Sequence, residues 1–246
     1  MNERDYHDEH YAAEAALFET PLFRRVHDRA ARQFLRATRA GRSHRILSLG
    51  CGEGSIERRL APHVGAIVGV DISSVAIAQA RAKSAGLANL SFEISAEVVP
   101  GEFDIVAAFA FLHHLDDAAI ARTLRAARDV LRPGGLLYSS DPSRQRLVGL
   151  FRRVVRETYE RHHSPDERAL EPAALVRMCR EAGYSEVTTE YTDYFLGPLA
   201  WLAPATPARL AGPLESLDNL ALGIPLLRRT ASTFSLCACS IPSSPR

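Results

Sequence analysis

Lysine is nearly missing from this chain. Lys83 is the single one among 30 Lys and Arg residues, which stand against 29 Asp and Glu for a formal net charge of +1. That balance lacks the basic excess with which a dedicated nucleic-acid binder neutralises phosphates, so no nucleic-acid partner is expected. The arginine bias reads as compositional rather than as a phosphate-recognition device. Cysteine is scarce too. Cys51, Cys179, Cys237 and Cys239 are too few and too scattered for a disulfide framework in 246 residues, and a reducing cytoplasm fits best. Cys237 and Cys239, two apart, would share one face of a strand like half of a metal site, but no second pair accompanies them, and they are expected as buried thiols. No run of about eighteen apolar residues is free of charge and proline, so no membrane-spanning helix is expected. Met1 to Asp5 lack the basic flank and apolar stretch of a signal peptide.

What is present suffices for a core. With 46% apolar and 24% charged residues, the chain has the composition of one large globular domain, or of a core domain with an appended cap. From Arg45 to Asp141, short β-rich runs alternate with segments of helical period, the pattern of βα units winding a parallel sheet. The strands are expected at Ile46 to Leu49, Ala66 to Val70, Leu90 to Ile94, Asp104 to Ala108 and Leu136 to Ser140. Ser73 or Ser74 can cap a helix that runs through Ala85 and stops at Gly86; Asp116 can cap another to about Leu131. Pro133-Gly134-Gly135 is read as the turn into the fifth strand. The first forty residues predict one or two helices with Leu22, Phe23 and Phe34 among their core contacts.

Beyond Asp141 the pattern loosens. A helix-like stretch from Arg144 to Arg161 is followed by a helix from Pro172 to Ala182 and strands at Ser185 to Tyr191 and Thr233 to Ser240. The apolar stretch between those strands, broken by Pro198, Pro204, Pro207, Pro213 and Pro225, should not form one long helix. Residues 1–44 therefore read as an N-terminal helical cap and 45–143 as a ligand-binding α/β core. Residues 144–246 complete the fold, with a helical cap segment (144–170) and an insertion (197–229) inside an antiparallel C-terminal hairpin.

Leu47-Ser48-Leu49-Gly50-Cys51-Gly52-Glu53-Gly54-Ser55 is a strand running into a glycine turn and a helix, where backbone must bend sharply and approach a ligand without side chains in the way. Nineteen residues after Gly52, Asp71 ends the second strand with a carboxylate able to accept hydrogen bonds from both hydroxyls of a ribose. Both features suit an adenosine-containing ligand, and a nicotinamide dinucleotide would share them. A dinucleotide fingerprint, however, needs a third glycine three residues after its second, and Ser55 stands there; the third glycine here is Gly54.

With that G-x-G-x-G spacing the sequence resembles the class I S-adenosylmethionine (SAM)-dependent methyltransferases, small-molecule members in particular. The resemblance continues through Asp71, Phe103-Asp104-Ile105-Val106, Leu112-His113-His114-Leu115 and Leu131-Arg132-Pro133-Gly134-Gly135, and so covers about Arg45 to Asp141. It implies a Rossmann-like open sheet of mostly parallel strands with helices on both faces, and SAM as cofactor. It further implies that Gly50, Cys51 and Gly52 line the methionine end, Asp71 the ribose and Ile72 the adenine, with Phe109 beside the sulfonium. Where many relatives carry an aspartate for the adenine amine, this chain has Ser95-Ala96-Glu97, of which Ser95 or Glu97 would have to substitute.

His113 and His114 follow the fourth strand and Asp141 ends the fifth, so in a parallel sheet all three emerge at the edge that carries the glycine turn, where His113 and Asp141 would form a pair. In relatives that methylate hydroxyls, such a pair serves as base and orienting partner. No Asn/Asp-Pro-Pro-aromatic motif follows strand four, which disfavours a nucleobase amine as acceptor. Catechol-type relatives hold a divalent metal with acidic residues and an Asn beyond strands four and five; there only Asp141 offers itself, so no metal is expected. A small organic acceptor of apolar character, such as a natural product, quinone or lipid-like molecule, fits the Leu, Phe, Trp201 and Pro content of the C-terminal segments. The Trp201 region would allow weak contact with a membrane surface. An NAD-dependent oxidoreductase and a catalytically silent SAM-binding module are the other readings; the oligomeric state stays open.

Overall fold

A computed structural model describes residues 7–9, 11–12, 16–146 and 167–240. Seven strands form one sheet in the order β3-β2-β1-β4-β5-β7-β6: β1 (Arg45–Leu49), β2 (Ala66–Asp71), β3 (Leu90–Ile94), β4 (Phe103–Phe109), β5 (Leu131–Pro142), β6 (Tyr184–Asp193) and β7 (Thr233–Ser240). The first five pair in parallel; β7 runs antiparallel to both β5 and β6. Strand order therefore reverses between β1 and β4, where Leu49 lies opposite Ala108. The crevice at the carboxyl ends of those two strands is where an open α/β sheet binds ligands.

Alternation along each strand sorts the core into two layers. Leu47, Leu49, Val106 and Ala108 face one side, packed with Leu124 of α4 (Asp117–Val130) and Leu175 of α5 (Pro172–Glu181). Ile46, Ile105, Ala107 and Tyr138 face the other, against Phe34 of α1 (Pro21–Thr38). Phe34 is wholly buried, stacked edge-on to Tyr138 and Phe109; burying a side chain of this size stabilises by about 2–3 kcal/mol. The helix ends follow the expected chemistry. Ser73 accepts from the Ala76 amide to cap α3 (Ser74–Lys83), and Asp116 accepts from the Ala119 amide to cap α4.

Several expectations shift. Pro133-Gly134-Gly135 does not precede β5 but lies inside it, because the strand starts at Leu131, opposite Phe103, and resumes pairing at Leu136 after an irregularity. The insertion between β6 and β7, in keeping with its prolines, is not one long helix but three: α6 (Leu196–Leu202), α7 (Ala208–Gly223) and α8 (Pro225–Arg228). Pro213 is accommodated within α7. Cys237 and Cys239, expected as buried thiols, are half-buried on β7 and unpaired. Of the Arg144 to Arg161 helix and the 144–170 cap segment, residues 147–166 lie outside the described residues.

α6 and α7 pack against α1 through Leu22, Phe23, Leu196, Ala200 and Ala211, a satellite cluster joined by Phe18 and Trp201. Together these helices roof the carboxyl edge of the sheet.

Candidate active site

The glycine turn leaves β1 with Gly50, Gly52 and Gly54 all at positive φ (61°, 53° and 74°), a region that favours residues without a Cβ. Sequence reasoning explained these glycines by a ligand's approach; the structure adds the chain's own aromatics. A Cβ on Gly50 would fall 2.3 Å from the Phe111 ring, and one on Gly52 2.3 Å from the Tyr11 hydroxyl. Phe111 reaches the turn because Ala110, itself left-handed (φ 49°), bends the chain sharply after β4, its amide bonded to the Ser140 carbonyl at 2.7 Å.

Behind the turn, α2 (Ser55–Leu60) begins at Ser55, which is buried and bonded to Glu53. The single lysine ends its side chain here: Lys83 pairs with Glu53, and with Glu19 at 3.3 Å. Beneath it, Glu57 is almost wholly buried and accepts from the Ser48 hydroxyl at 2.6 Å; burial pushes its carboxyl up to about 7. The neighbouring His27 is driven down to about 4, by burial first and by the Arg59 and Arg58 charges.

Asp71 ends β2 and accepts from the amides of Gly52 (2.8 Å) and Ser73 (2.9 Å), which locks the turn to the second strand. An ionised carboxylate has about four acceptor positions, so two remain for a ligand. Asp8 and Tyr11 of the N-terminal residues reach this corner. Asp8 accepts from Ser73 Oγ and the Val75 amide at the start of α3 (2.6 and 3.1 Å), and the half-buried Tyr11 hydroxyl is raised well above the usual phenol range by burial and by Asp71. Tyr11 was not foreseen; its only sequence signal is an aromatic in a polar N-terminal run.

On the other side of the turn, a single 3₁₀ turn (Leu112–His114) follows β4. Asp141, completely buried at the end of β5, uses Oδ1 to accept both the His113 amide and His113 Nδ1, each at 3.2 Å. That contact makes Nδ1 the protonated ring nitrogen and leaves Nε2 with a lone pair. Asp141 Oδ2 is buried without a partner among the described residues. Glu167 approaches from the segment before α5, its carboxylate 4.0 Å from His113 Nε2 and 3.6 Å from His114 Nδ1. These three residues offer donor atoms within 4.8 Å of one another, a set that the expectation of no metal did not include. His114 is expected at this edge beside His113; Glu167 is not, and it gives no sequence signal because only the fold brings it near.

A cavity of about 1140 Å³ joins the two halves. Gly50, Cys51, Gly52 and Phe109 line it together with His113 and Asp141, while Val26, Trp201 and Leu202 form part of an apolar wall and Arg29, Gln33 and Asp193 a polar end. Asp71, Ile72, Ser95, Ala96 and Glu97 are not part of that lining. Asp71 and Ile72 sit at the end of β2, and Ser95 is tied beside them by its amide to the Asp71 carbonyl. The Ser95 hydroxyl is engaged in its own turn with the backbone of Glu97, and the Glu97 residue is exposed.

Residues 46–135 match the family model described as a methyltransferase domain. Over 174 residues the chain is 31% identical to the ubiquinone biosynthesis O-methyltransferase of Thiobacillus denitrificans, covering 67% of this chain and 72% of that one. Among solved structures, magnesium protoporphyrin IX methyltransferase from Synechocystis with bound S-adenosylhomocysteine superposes with a TM-score of 0.67 at 15% identity, covering 96% of this chain and 97% of that one. Phosphoethanolamine N-methyltransferase 2 of Haemonchus contortus in complex with SAM gives 0.68 at 16% identity, over 99% of this chain and 60% of that one.

Proposed function

The chain belongs to the class I SAM-dependent methyltransferases, and from that premise we propose that it methylates a hydroxyl of a small, largely apolar organic acceptor held in the cavity between α1 and α6. One observation carries the reading: the same cavity touches Gly50 to Gly52 and the His113–Asp141 pair. The glycine turn fits the cofactor, since the left-handed Gly50 and Gly52 put backbone without side chains on the cavity wall. Asp71 holds the ribose with its two remaining acceptor positions, Ile72 and the Ser95 to Glu97 turn border the adenine, and Phe109 lies beside the sulfonium. Bound there, SAM supplies an electrophilic methyl group that needs an aligned nucleophile and the exclusion of water.

The residues around the acceptor supply the rest. Asp141 orients the His113 ring and compensates the positive charge that the ring gains. His113 Nε2 takes the hydroxyl proton as the oxygen attacks, a role that typically contributes about 10²–10⁴-fold. The apolar wall from Val26 to Trp201 and Leu202 keeps the attacking oxygen poorly hydrated. The name of the Thiobacillus relative supports an oxygen acceptor on a quinone-like skeleton. Four unpaired cysteines support a reducing cytoplasm as the place of work.

Calorimetry with SAM and a turnover assay over a panel of phenols and quinols test this. His113→Ala should lower kcat by about 10²–10⁴-fold while SAM affinity stays within a factor of two or so; an unaltered rate removes His113 as the base. Asp71→Ala should weaken SAM binding at least about tenfold, the loss of roughly one good hydrogen bond to a charged acceptor, and unchanged affinity refutes the ribose assignment. Binding of SAM with no transfer to any hydroxyl would favour the silent-module reading, and binding of NAD in place of SAM would sink both.

A further inference from the structure

The helix α7 is built inside out. Its buried positions are small or polar, Ala211, Asp218 and Ala221, whereas Leu210, Leu217 and Leu220 point to solvent, and Ile224, Leu226 and Leu227 extend the exposed apolar surface onto α8. Leu210, Leu217, Leu220 and Ile224 are spaced by seven, three and four residues, which puts them on one face. Leu220 is 66% and Leu226 87% exposed. Of the large hydrophobic residues exposed anywhere in the described chain, Ile94 alone lies outside residues 202–227. Leu214 and Leu222 alone among its leucines turn inward, half-buried, so the helix is held to its own protein in good part by something else. Here that is charge: Asp218 pairs with Arg29 at 3.0 Å and Glu215 with Arg25 and Arg32, all three arginines on α1.

Those two acids are the last in the chain, for no Asp or Glu follows position 218. Both already face arginines of α1, so the outward side of α7 and α8 carries positive charge only, from the exposed Arg209, Arg228 and Arg229. Among the described residues no ion pair engages these three. An apolar stripe rimmed by unanswered arginines matches an anionic lipid surface, which accepts the leucines below its headgroups and the guanidinium groups among its phosphates. A second copy fits this face less well, because bringing two such faces together sets arginine against arginine with no carboxylate to compensate.

From this we infer that the α7–α8 face docks on anionic membranes. The segment that carries the stripe also walls the cavity, through Trp201 and Leu202 before it and Thr230 after it. Docking would thus bring the cavity to the phase in which an apolar acceptor dissolves. In that respect the inference rests on the proposed acceptor class, but vesicle binding is read without turnover.

The test is co-sedimentation of the full chain with phosphatidylcholine vesicles, with and without about one third phosphatidylglycerol, at low and high salt. Binding to the anionic vesicles alone, weakened by salt, is expected. Leu226→Asp, and separately Arg228→Glu with Arg229→Glu, should each lower the bound fraction about tenfold or more while binding of S-adenosylhomocysteine is unchanged. The inference is overturned if the wild-type chain ignores anionic vesicles or if the variants bind as well as it does. It also falls if sedimentation velocity finds a dimer that Leu226→Asp dissociates and vesicles do not compete for. A chain that docks but methylates no hydroxyl keeps this inference and loses the previous one; a chain that methylates soluble phenols and never docks does the reverse.

Discussion

Glu57 concentrates in one carboxyl the strain of placing a polar turn above a buried layer. It lies under the glycine turn with the Ser48 hydroxyl as its close partner, and burial raises its pKa from 4.5 to about 7. The folded chain therefore keeps a proton that the unfolded chain releases near 4.5, and each pH unit across that interval removes stability at up to about 1.4 kcal/mol per proton. The contribution is complete below 4.5 and gone above about 7. His27, lowered to about 4, works in the opposite sense, losing stability as pH falls from 6.5. Because the two partly cancel in the wild type, the informative quantity is the difference from Glu57→Gln, which keeps the acceptor for Ser48 but cannot ionise. Melting curves from pH 4.5 to 7 should show the variant gaining on the wild type steadily as pH rises, by a few kcal/mol at most; parallel curves would mean that Glu57 ionises freely in the fold. Nothing in Glu57's sequence context sets it apart from a surface helical glutamate. Asp71 and His113 stand out because one ends β2 and the other lies in the turn just after β4, each in a recognised spacing.

Elements were legible to the degree that local pattern decided them. The central strands β1 and β4 announce themselves by apolar runs whose two faces are both buried, and caps at Ser73 and Asp116 are local hydrogen bonds that spacing alone predicts. Local pattern failed where a tertiary partner decides. Pro133-Gly134-Gly135 has turn chemistry, yet pairing of Leu131 with Phe103 and of Leu136 with Ile105 draws it into β5 as an irregularity. In β6 the register slips between Ser185 and Thr188 around Glu186, a non-glycine at φ 47°, which no propensity argument would choose. The glycine turn was identified from spacing, but the aromatic rings that press on Gly50 and Gly52 come from residues 111 and 11, far apart in sequence and invisible to a motif. The His113–Asp141 side of the cavity was the more readable one: topology alone predicts that ends of β4 and β5 converge, and His113 and Asp141 do meet. The Ser95 to Glu97 side was less so, since a hydroxyl at Ser95 can equally satisfy its own turn.

At the scale of the molecule, the N-terminal helix and the C-terminal insertion are tied together over the sheet by one buried charge cluster. Asp218 of α7 receives Arg29 of α1 at 3.0 Å and the amides of Tyr194, Phe195 and Leu196, so it also caps the first turn of α6. Asp193, at the end of β6, accepts the Gly197 amide from the same helix start. Two carboxyls lie beside one guanidinium here, of which Asp218 pairs with it directly, and burial, then the neighbouring Asp218, pushes Asp193 well above the usual carboxylate range. Removing Asp218 strands Arg29 and uncaps α6 together, so Asp218→Ala should cost about 3–5 kcal/mol, as for other broken buried pairs. Asp218→Asn should cost clearly less. It retains one acceptor for the amides and no longer repels Asp193, which can then ionise and become the counter-charge to Arg29. Urea denaturation of the two variants measures the gap. Adding Asp193→Asn to Asp218→Asn should restore the full loss, because no carboxylate is then left to face the arginine. Equal stability of Asp218→Ala and Asp218→Asn would show that Asp193 cannot take over and that Asp218 alone holds the roof of the cavity to the sheet.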